Sequence, residues 1–420
     1  RMNIISSSND RGVYFDNSFT SYKDIRLKSA HIADFLNALI PNGRQNIGIY
    51  MHNSLDYIVA YFGILFSNNV IVPIYRKLSS QFEISNEILI SDVSIVFTNN
   101  ESFGDFSQII NDADLKVCIV NINNENLEIY NSVSNYSTPE PADDKLSILL
   151  QSSGTTNNPK KIMHSKDSIF TNMKMHVMSA NLTENEKTLI QLPMTFSYCN
   201  TAQMLAHIYI NADIYIGKQF TPESFIDQVI DKGITNTILV PTQLTSLALS
   251  HNLDKLNTSK LQKVFYGGSH LNNSILEKLL HTCPNVCFVN TYGQTEAGPR
   301  IRINMNNTIN GKFNSAGKPL SGIKIDIRNI ADNEEKPIGD IFVNTPCMML
   351  GYYKNKDLTK DTIKSGWLDT GDRGYIDEDG YLYITGRKKN IIISGGINIY
   401  PEEIENVLES HEKIIKAYGE

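Results

Sequence analysis

The chain has 420 residues, 41% hydrophobic and 20% charged, with 38 Lys plus Arg against 45 Asp plus Glu and a formal net charge of −7. That length asks for roughly two to four compact units, and the acidic balance gives no cationic footprint for nucleic acid or an anionic membrane surface. Five cysteines, an odd number with no CxxC, argue against a disulfide framework and point to a reducing cytosol.

From the N-terminus, Arg1 cannot be an initiator and is expected to be a remnant before Met2. No secretory signal follows, and no apolar run reaches the ~18 residues of a membrane span, so a cytoplasmic enzyme is expected. Residues 47–50, 70–74, 94–98 and 117–120 predict short buried strands. Residues 22–39 and 54–66 predict helices between them. This βα rhythm implies parallel sheets covered by helices. It resumes after residue 165, with strands over 189–193, 214–217, 237–241, 264–267 and 286–290. Beyond about residue 300 the pattern turns to apolar–polar alternation over 322–328, 339–344 and 381–385, with Asp379-Gly380 as a hairpin turn, which predicts a small antiparallel barrel or sheet. The fold class is therefore α/β. Residues 1–388 form a large N-terminal domain, with α/β subdomains over about 1–165 and 166–300 and a barrel-like subdomain over 301–388. Residues 389–420 hold a hinge and the start of a small α+β domain. Cys283 and Cys287 lie near His281, but a second ligand pair at metal-binding spacing is missing, and the cysteines are read as buried thiols.

The chemistry concentrates in four segments. The predicted strand 146–150 feeds Ser152, Ser153, Gly154, Thr155 and Thr156, followed by Pro159 and Lys160. Small residues let backbone N–H groups approach phosphate oxygens, hydroxyls add donors, and Lys160 adds charge. The chain has neither Gly-Lys-Ser/Thr nor GxGxxG, which separates it from P-loop and dinucleotide fingerprints. The other segments are "FYGGSH" at 265–270, "NTYGQTEAGP" at 290–299, and "TGD" at 370–372 followed by "GRKKN" at 386–390.

In this order the motifs resemble the adenylate-forming enzymes: acyl-CoA synthetases, aryl-acid CoA ligases, luciferases and peptide-synthetase adenylation domains. The similarity runs along essentially the whole chain. It implies ATP-dependent activation of a carboxylic acid to an acyl-adenylate, with Mg²⁺, then transfer to CoA or to a carrier protein. A silent nucleotide or acyl-adenylate binding module is the alternative. By this resemblance the loop and Lys160 hold phosphates. Gly267, Gly268 and Ser269 let the backbone approach purine and acyl group, and Asn290, Thr291 and Gly293 belong to the nucleotide site. Tyr292 stacks on adenine, Thr295 contacts the α-phosphate, and Glu296 holds the metal. Asp372 and Arg387 take the ribose or phosphates, and Lys389 is the hinge. Ser394, Gly395 and Gly396 line the thiol tunnel. Phe196 and Ser197 face the acyl group, and Ser197 stands where amino-acid-activating members carry an aspartate. An ammonium buried without a counter-charge is costly, so a fatty or aryl acid is expected. Asn157 and Lys161 replace the loop's usual glycines, and Lys161 is expected to alter loop mobility. The resemblance also implies a C-terminal lysine motif that is not found before Glu420, so the chain is expected to lack most of its second domain.

Overall fold

The computed structural model describes residues 4–41, 43–76, 80–124, 126–131, 143–151, 160–304, 312, 315–330, 336–390, 392–394, 397–399, 401, 404, 405, 408, 414 and 417. Two large sheets and one small sheet carry the site. The first has eight strands, in the order Gly351–Tyr352, Lys161–Ser165, Leu146–Gln151, Val70–Pro73, Asn46–Ile49, Val93–Asn99, Cys118–Asn123, Asn126–Tyr130. Its centre is parallel and its two ends are antiparallel. Central strands such as Asn46–Ile49 are buried along their whole length, as expected where helices cover both faces. The second sheet has nine strands and runs parallel from Asp213–Ile216 through Lys187–Ile190, Asn236–Leu239 and Lys263–Gly267 to Cys287–Gln294, then turns antiparallel at Gly298–Asn304.

Helix Tyr22–Leu39 forms where expected: the Ser21 hydroxyl accepts from the Asp24 N–H, and Ile25, Ile32 and Leu36 make one buried face. That face packs on helix Leu55–Phe66, capped in the same way by Ser54. The small sheet is antiparallel, as its alternation predicts. It joins Lys324–Arg328, Gly339–Asn344 and Trp367–Ile376, with Ile363–Lys364 and Leu382–Arg387 also paired to Trp367–Ile376. The Asp379-Gly380 turn closes the last hairpin, with Gly380 at φ 83°, where a side chain would be strained.

The sheets trade strands across the expected subdomain limits. Gly12–Phe15 pairs with Asp213–Ile216 in the second sheet, and Gly351–Tyr352 pairs with Lys161–Ser165 in the first. The limits at 165 and 300 mark changes of rhythm in the sequence, whereas pairing follows spatial edges. The expected hinge is a 3₁₀ turn at Lys388–Asn390, followed by the antiparallel pair Ile392–Ser394 and Ile397–Ile399. Four cysteines are buried and Cys287 is half-buried. Among the described residues no helix is long and apolar enough to cross a membrane.

Candidate active-site cleft

The C-terminal ends of the second sheet's strands, the exit of the phosphate loop and the edge of the small sheet enclose a cleft of about 810 Å³. Strand ends are where open α/β sheets present their ligand crevices. Residues 152–159, which include Ser152, Ser153, Gly154, Thr155 and Thr156, lie outside the described residues, as do Gly395 and Gly396. Ser394 ends a short strand. Lys160, Phe196, Ser197, Gly267, Gly268, Ser269, Thr291, Gly293, Thr295, Glu296, Arg387 and Lys389 line the cleft.

Strand Cys287–Gln294 sorts its own residues by alternation. Thr291 and Gly293 line the cleft, while Asn290 and Tyr292 fall on the opposite face. Asn290 donates to the Ser315 carbonyl at 3.0 Å. Tyr292 packs against the apolar core around Ile301 and Leu382, and its hydroxyl donates to Asp372 Oδ2 at 2.6 Å. The absent side chain of Gly267 serves packing: a Cβ there would lie 2.2 Å from the Thr291 carbonyl oxygen of the neighbouring strand.

Of two acids in the polar half, Glu296 lines the cleft, and Asp372 is buried beside the lining residues Gly371 and Arg387. Asp372 is 4% exposed. Its Oδ2 accepts from the Tyr292 hydroxyl and, at 2.7 Å, from Gln294 Nε2, while Oδ1 faces Arg387 Nε at 3.2 Å. Burial raises its pKa, and Arg387, Tyr292 and Gln294 oppose that rise. Glu296 is the middle residue of the 3₁₀ turn Thr295–Ala297. Its Oε1 accepts from the Tyr352 hydroxyl at 3.0 Å. Its Oε2 has no hydrogen-bond partner among the described residues. Burial and then Glu296 raise the Tyr352 pKa, so this phenol stays a donor. The exposed Lys160 ammonium lies 5.3 Å from the Tyr352 ring centroid, within cation–π range. Tyr352 thus links Lys160 and Glu296.

His164 fixes the turn from below. Its Nε2 lies 2.6 Å from the Thr295 carbonyl oxygen, to which it donates, and its Nδ1 lies 3.0 Å from the Ser168 hydroxyl. Burial holds its pKa down at about 4, against the opposing bond to Thr295, so it is neutral near pH 7. The Thr295 hydroxyl meets the Ser197 hydroxyl at 2.9 Å, and the Phe196 ring packs at 4.8 Å on Tyr75. The carboxylates lining the cleft are Glu296, Asp361 and Asp369; none belongs to the Leu192–Cys199 wall. Lys388 bonds both Asp369 oxygens at 2.7 Å and Asp340 at 3.0 Å, pinning the 3₁₀ turn beside Arg387.

Lys161 is 3% exposed and paired with Glu87, itself 1% exposed. Tyr352, His164, Gln294 and Tyr198 were not singled out from sequence. Gln294 sits inside the YGQTE segment and Tyr198 directly follows Ser197 in the helix Ser197–Cys199, while His164 and Tyr352 are brought in by strand pairing.

A model of the AMP-binding enzyme family matches residues 6–353. The chain belongs to the AMP-binding enzyme family. It is thereby an AMP-forming acid–thiol ligase, which activates an acid as its acyl-adenylate. It is 29% identical over 408 residues to a 2-succinylbenzoate–CoA ligase of Oceanobacillus iheyensis, covering 96% of this chain and 81% of that one. It is 27% identical to the fatty acid–[acyl-carrier-protein] ligase ScoC of Streptomyces coeruleorubidus, covering 94% and 78%. The fold matches the o-succinylbenzoate CoA synthetase of Bacillus subtilis, solved with its acyl-adenylate intermediate, at a TM-score of 0.81, 23% identity and coverages of 97% and 81%. The chain thus spans about four-fifths of each.

Proposed function

We propose that this ligase activates a fatty or aryl acid and passes the acyl group to the thiol of CoA. The carrying observation is that Lys160, Thr295, Glu296 and Arg387 line one cleft with Phe196 and Ser197. A carboxylate oxygen of the acid attacks the α-phosphorus of ATP, the bond to the bridging oxygen breaks, and pyrophosphate leaves. The thiol sulfur then attacks the acyl carbon, AMP departs, and the thiol proton passes to solvent. Loop 152–156 and Lys160 receive phosphate oxygens, Thr295 contacts the α-phosphate, and Asp372 with Arg387 takes the ribose. For Tyr292 the geometry supports a different task from stacking, that of holding Asp372 in place. Lys389 is the hinge.

Glu296 suits Mg²⁺, because it offers a hard carboxylate oxygen with no protein donor on it among the described residues. No group of three or more metal-binding side chains occurs among the described residues, which suits an ion held by one carboxylate and substrate phosphates. When bound, Mg²⁺ supplies neutralisation of charge on those phosphates.

An acid without an ammonium is favoured because the Ser197 hydroxyl is engaged with Thr295 and its wall carries no carboxylate. Pyrophosphate exchange across a panel of fatty, aryl and amino acids tests the reading. Exchange with fatty or aryl acids supports it, and folded protein that exchanges with none overturns it. CoA against a pantetheinylated carrier protein, supplied in a second step, decides the acceptor.

A further inference from the structure

Arg300 is 0% exposed, and among the described residues it forms no ion pair. It sits between strand Gly298–Asn304 and helix Lys166–Ser179. Its Nε donates to His176 Nδ1 at 3.3 Å, and its Nη1 to the Pro299 carbonyl at 3.1 Å. Its Nη2 is buried and has no hydrogen-bond partner among the described residues. His176 is buried, and its pKa is pushed well down by burial and then by Arg300, so it adds no charge of either sign. Among the other buried cations, Lys161 has Glu87, and Arg302 bonds the carbonyls of Gly317 and Gly380 while its Nε, like the Arg300 Nη2, has no hydrogen-bond partner among the described residues.

A buried guanidinium without an anionic partner is costly unless something supplies the missing charge; burial lowers the Arg300 pKa and Tyr198 opposes that. The acyl end of the cleft lies one side chain away. The Arg300 guanidinium carbon is 4.2 Å from the ring centroid of Tyr198. Tyr198 lines the cleft, as does Pro299. Tyr198 is held across the opening by a 2.9 Å bond between its hydroxyl and that of Thr291. The cation therefore acts on this end of the cleft through a low-dielectric wall, where charge is weakly screened.

We propose that Arg300 is a specificity-determining residue and that the acid activated here carries a second carboxylate in its acyl part. The inference rests on the acyl-adenylate reading above. The second carboxylate sits against the Tyr198 side of the cleft and supplies the counter-charge that the protein leaves out. Direct contact with Nη2 follows where Tyr198 turns aside from Thr291.

The test uses non-hydrolysable acyl-sulfamoyl adenosines in matched pairs: butyryl with succinyl, hexanoyl with adipoyl, and benzoyl with 3-carboxybenzoyl. Dissociation constants are measured by calorimetry on the wild-type chain. In at least one pair the carboxylated member should bind roughly 10- to 100-fold tighter, as expected for a hydrogen bond to a charged group. That preference should collapse in Arg300→Met and persist, reduced, in Arg300→Lys. The wild-type pairs decide even where a variant fails to fold. If the uncharged member binds as well or better in every pair, Arg300 is structural and the inference fails alone. If no analogue binds to folded protein, the acyl-adenylate reading fails with it.

Discussion

The Glu87–Lys161 pair offers a perturbation whose size follows from burial. Glu87 projects from helix Gln81–Ile90, whose Ser80 and Glu83 form a reciprocal capping box. Lys161 opens strand Lys161–Ser165, directly after Lys160, and its carbonyl accepts from the Tyr353 N–H at 2.8 Å. The pair therefore fastens a helix of the first sheet to the exit of the phosphate loop. Burial lowers the Lys161 pKa, and Glu87 opposes that. Among the described residues Glu87 Oε2 has no hydrogen-bond partner, so within them the pair is incompletely satisfied. Removing one partner leaves a bare buried charge, a loss of about 3–5 kcal/mol, whereas replacing both by apolar residues is often neutral or stabilising. Lys161→Met and Glu87→Leu should each be strongly destabilising in urea, and the double variant should recover most of the loss. Unfolding is followed by fluorescence of the single tryptophan, Trp367, and by circular dichroism. Single losses below about 1 kcal/mol, or a double variant as unstable as the sum of the singles, would refute the buried-pair account.

Four further outcomes follow. Asp372→Ala should weaken AMP binding roughly 10- to 100-fold in calorimetry, given ~1.5–3 kcal/mol for a hydrogen bond to a charged group; unchanged affinity in folded protein removes Asp372 from the nucleotide site. Glu296→Gln should raise the Mg²⁺ needed for pyrophosphate exchange while AMP affinity stays nearly constant, and a wild-type Mg²⁺ titration would falsify the metal role. Amino acids should drive exchange far less well than fatty or aryl acids; an α-amino acid as the best substrate reverses the reading of Ser197. His164 makes stability pH-dependent: its pKa is about 4 when folded and ~6.5 when unfolded. Between those values the unfolded chain binds more protons, so stability falls as pH drops from 6.5 to 4. The loss is about 3 kcal/mol by linkage. His176 and His207 shift in the same direction, so the His164 share is read as the difference from His164→Gln. Identical pH curves for the two proteins would discard it.

What the sequence made legible was whatever a local pattern encodes. Helix Tyr22–Leu39 is bounded as expected because Ser21 caps it and one apolar stripe runs its length. The strand expected over 237–241 ends at Leu239 because Pro241 opens helix Pro241–Ala248, the first-turn position where a missing N–H costs nothing. The strand expected over 286–290 continues to Gln294 because Gly298–Asn304 pairs along it, with an irregularity between Tyr292 and Gln294. No propensity in a polar "NTYGQ" stretch announces that partner. The same limit hid Tyr352, which reaches Glu296 only because Gly351–Tyr352 adds to the first sheet. It also hid His164, whose bond to Thr295 spans 131 positions. The motif residues were readable as a set, but their facing was not: alternation along Cys287–Gln294 turns Asn290 away from the cleft.

Under the proposed roles, Glu296 in the cleft and the buried Asp372 next to it are prepared for opposite work. Asp372 is buried and meets a phenol, an amide and a guanidinium, so under the proposed ribose role a hydroxyl would displace or share an existing donor. Its contribution to affinity is an exchange of one bond for another, which keeps it near the modest net worth of a hydrogen bond rather than its gross strength. The same donors hold the carboxylate in one orientation before any ligand arrives, and preorganisation lowers the cost of binding. Glu296 has the reverse arrangement. A single phenol holds one oxygen and leaves the other without a protein donor among the described residues, beside an exposed ammonium that shares the same phenol ring. Under the proposed roles, a cation arriving with phosphates would give that oxygen a partner without breaking a protein bond, and its affinity would be limited by dehydration of the ion and by the ammonium's repulsion. Phosphate binding at Lys160 would offset that repulsion, so the proposal makes metal and phosphate binding at this site mutually dependent.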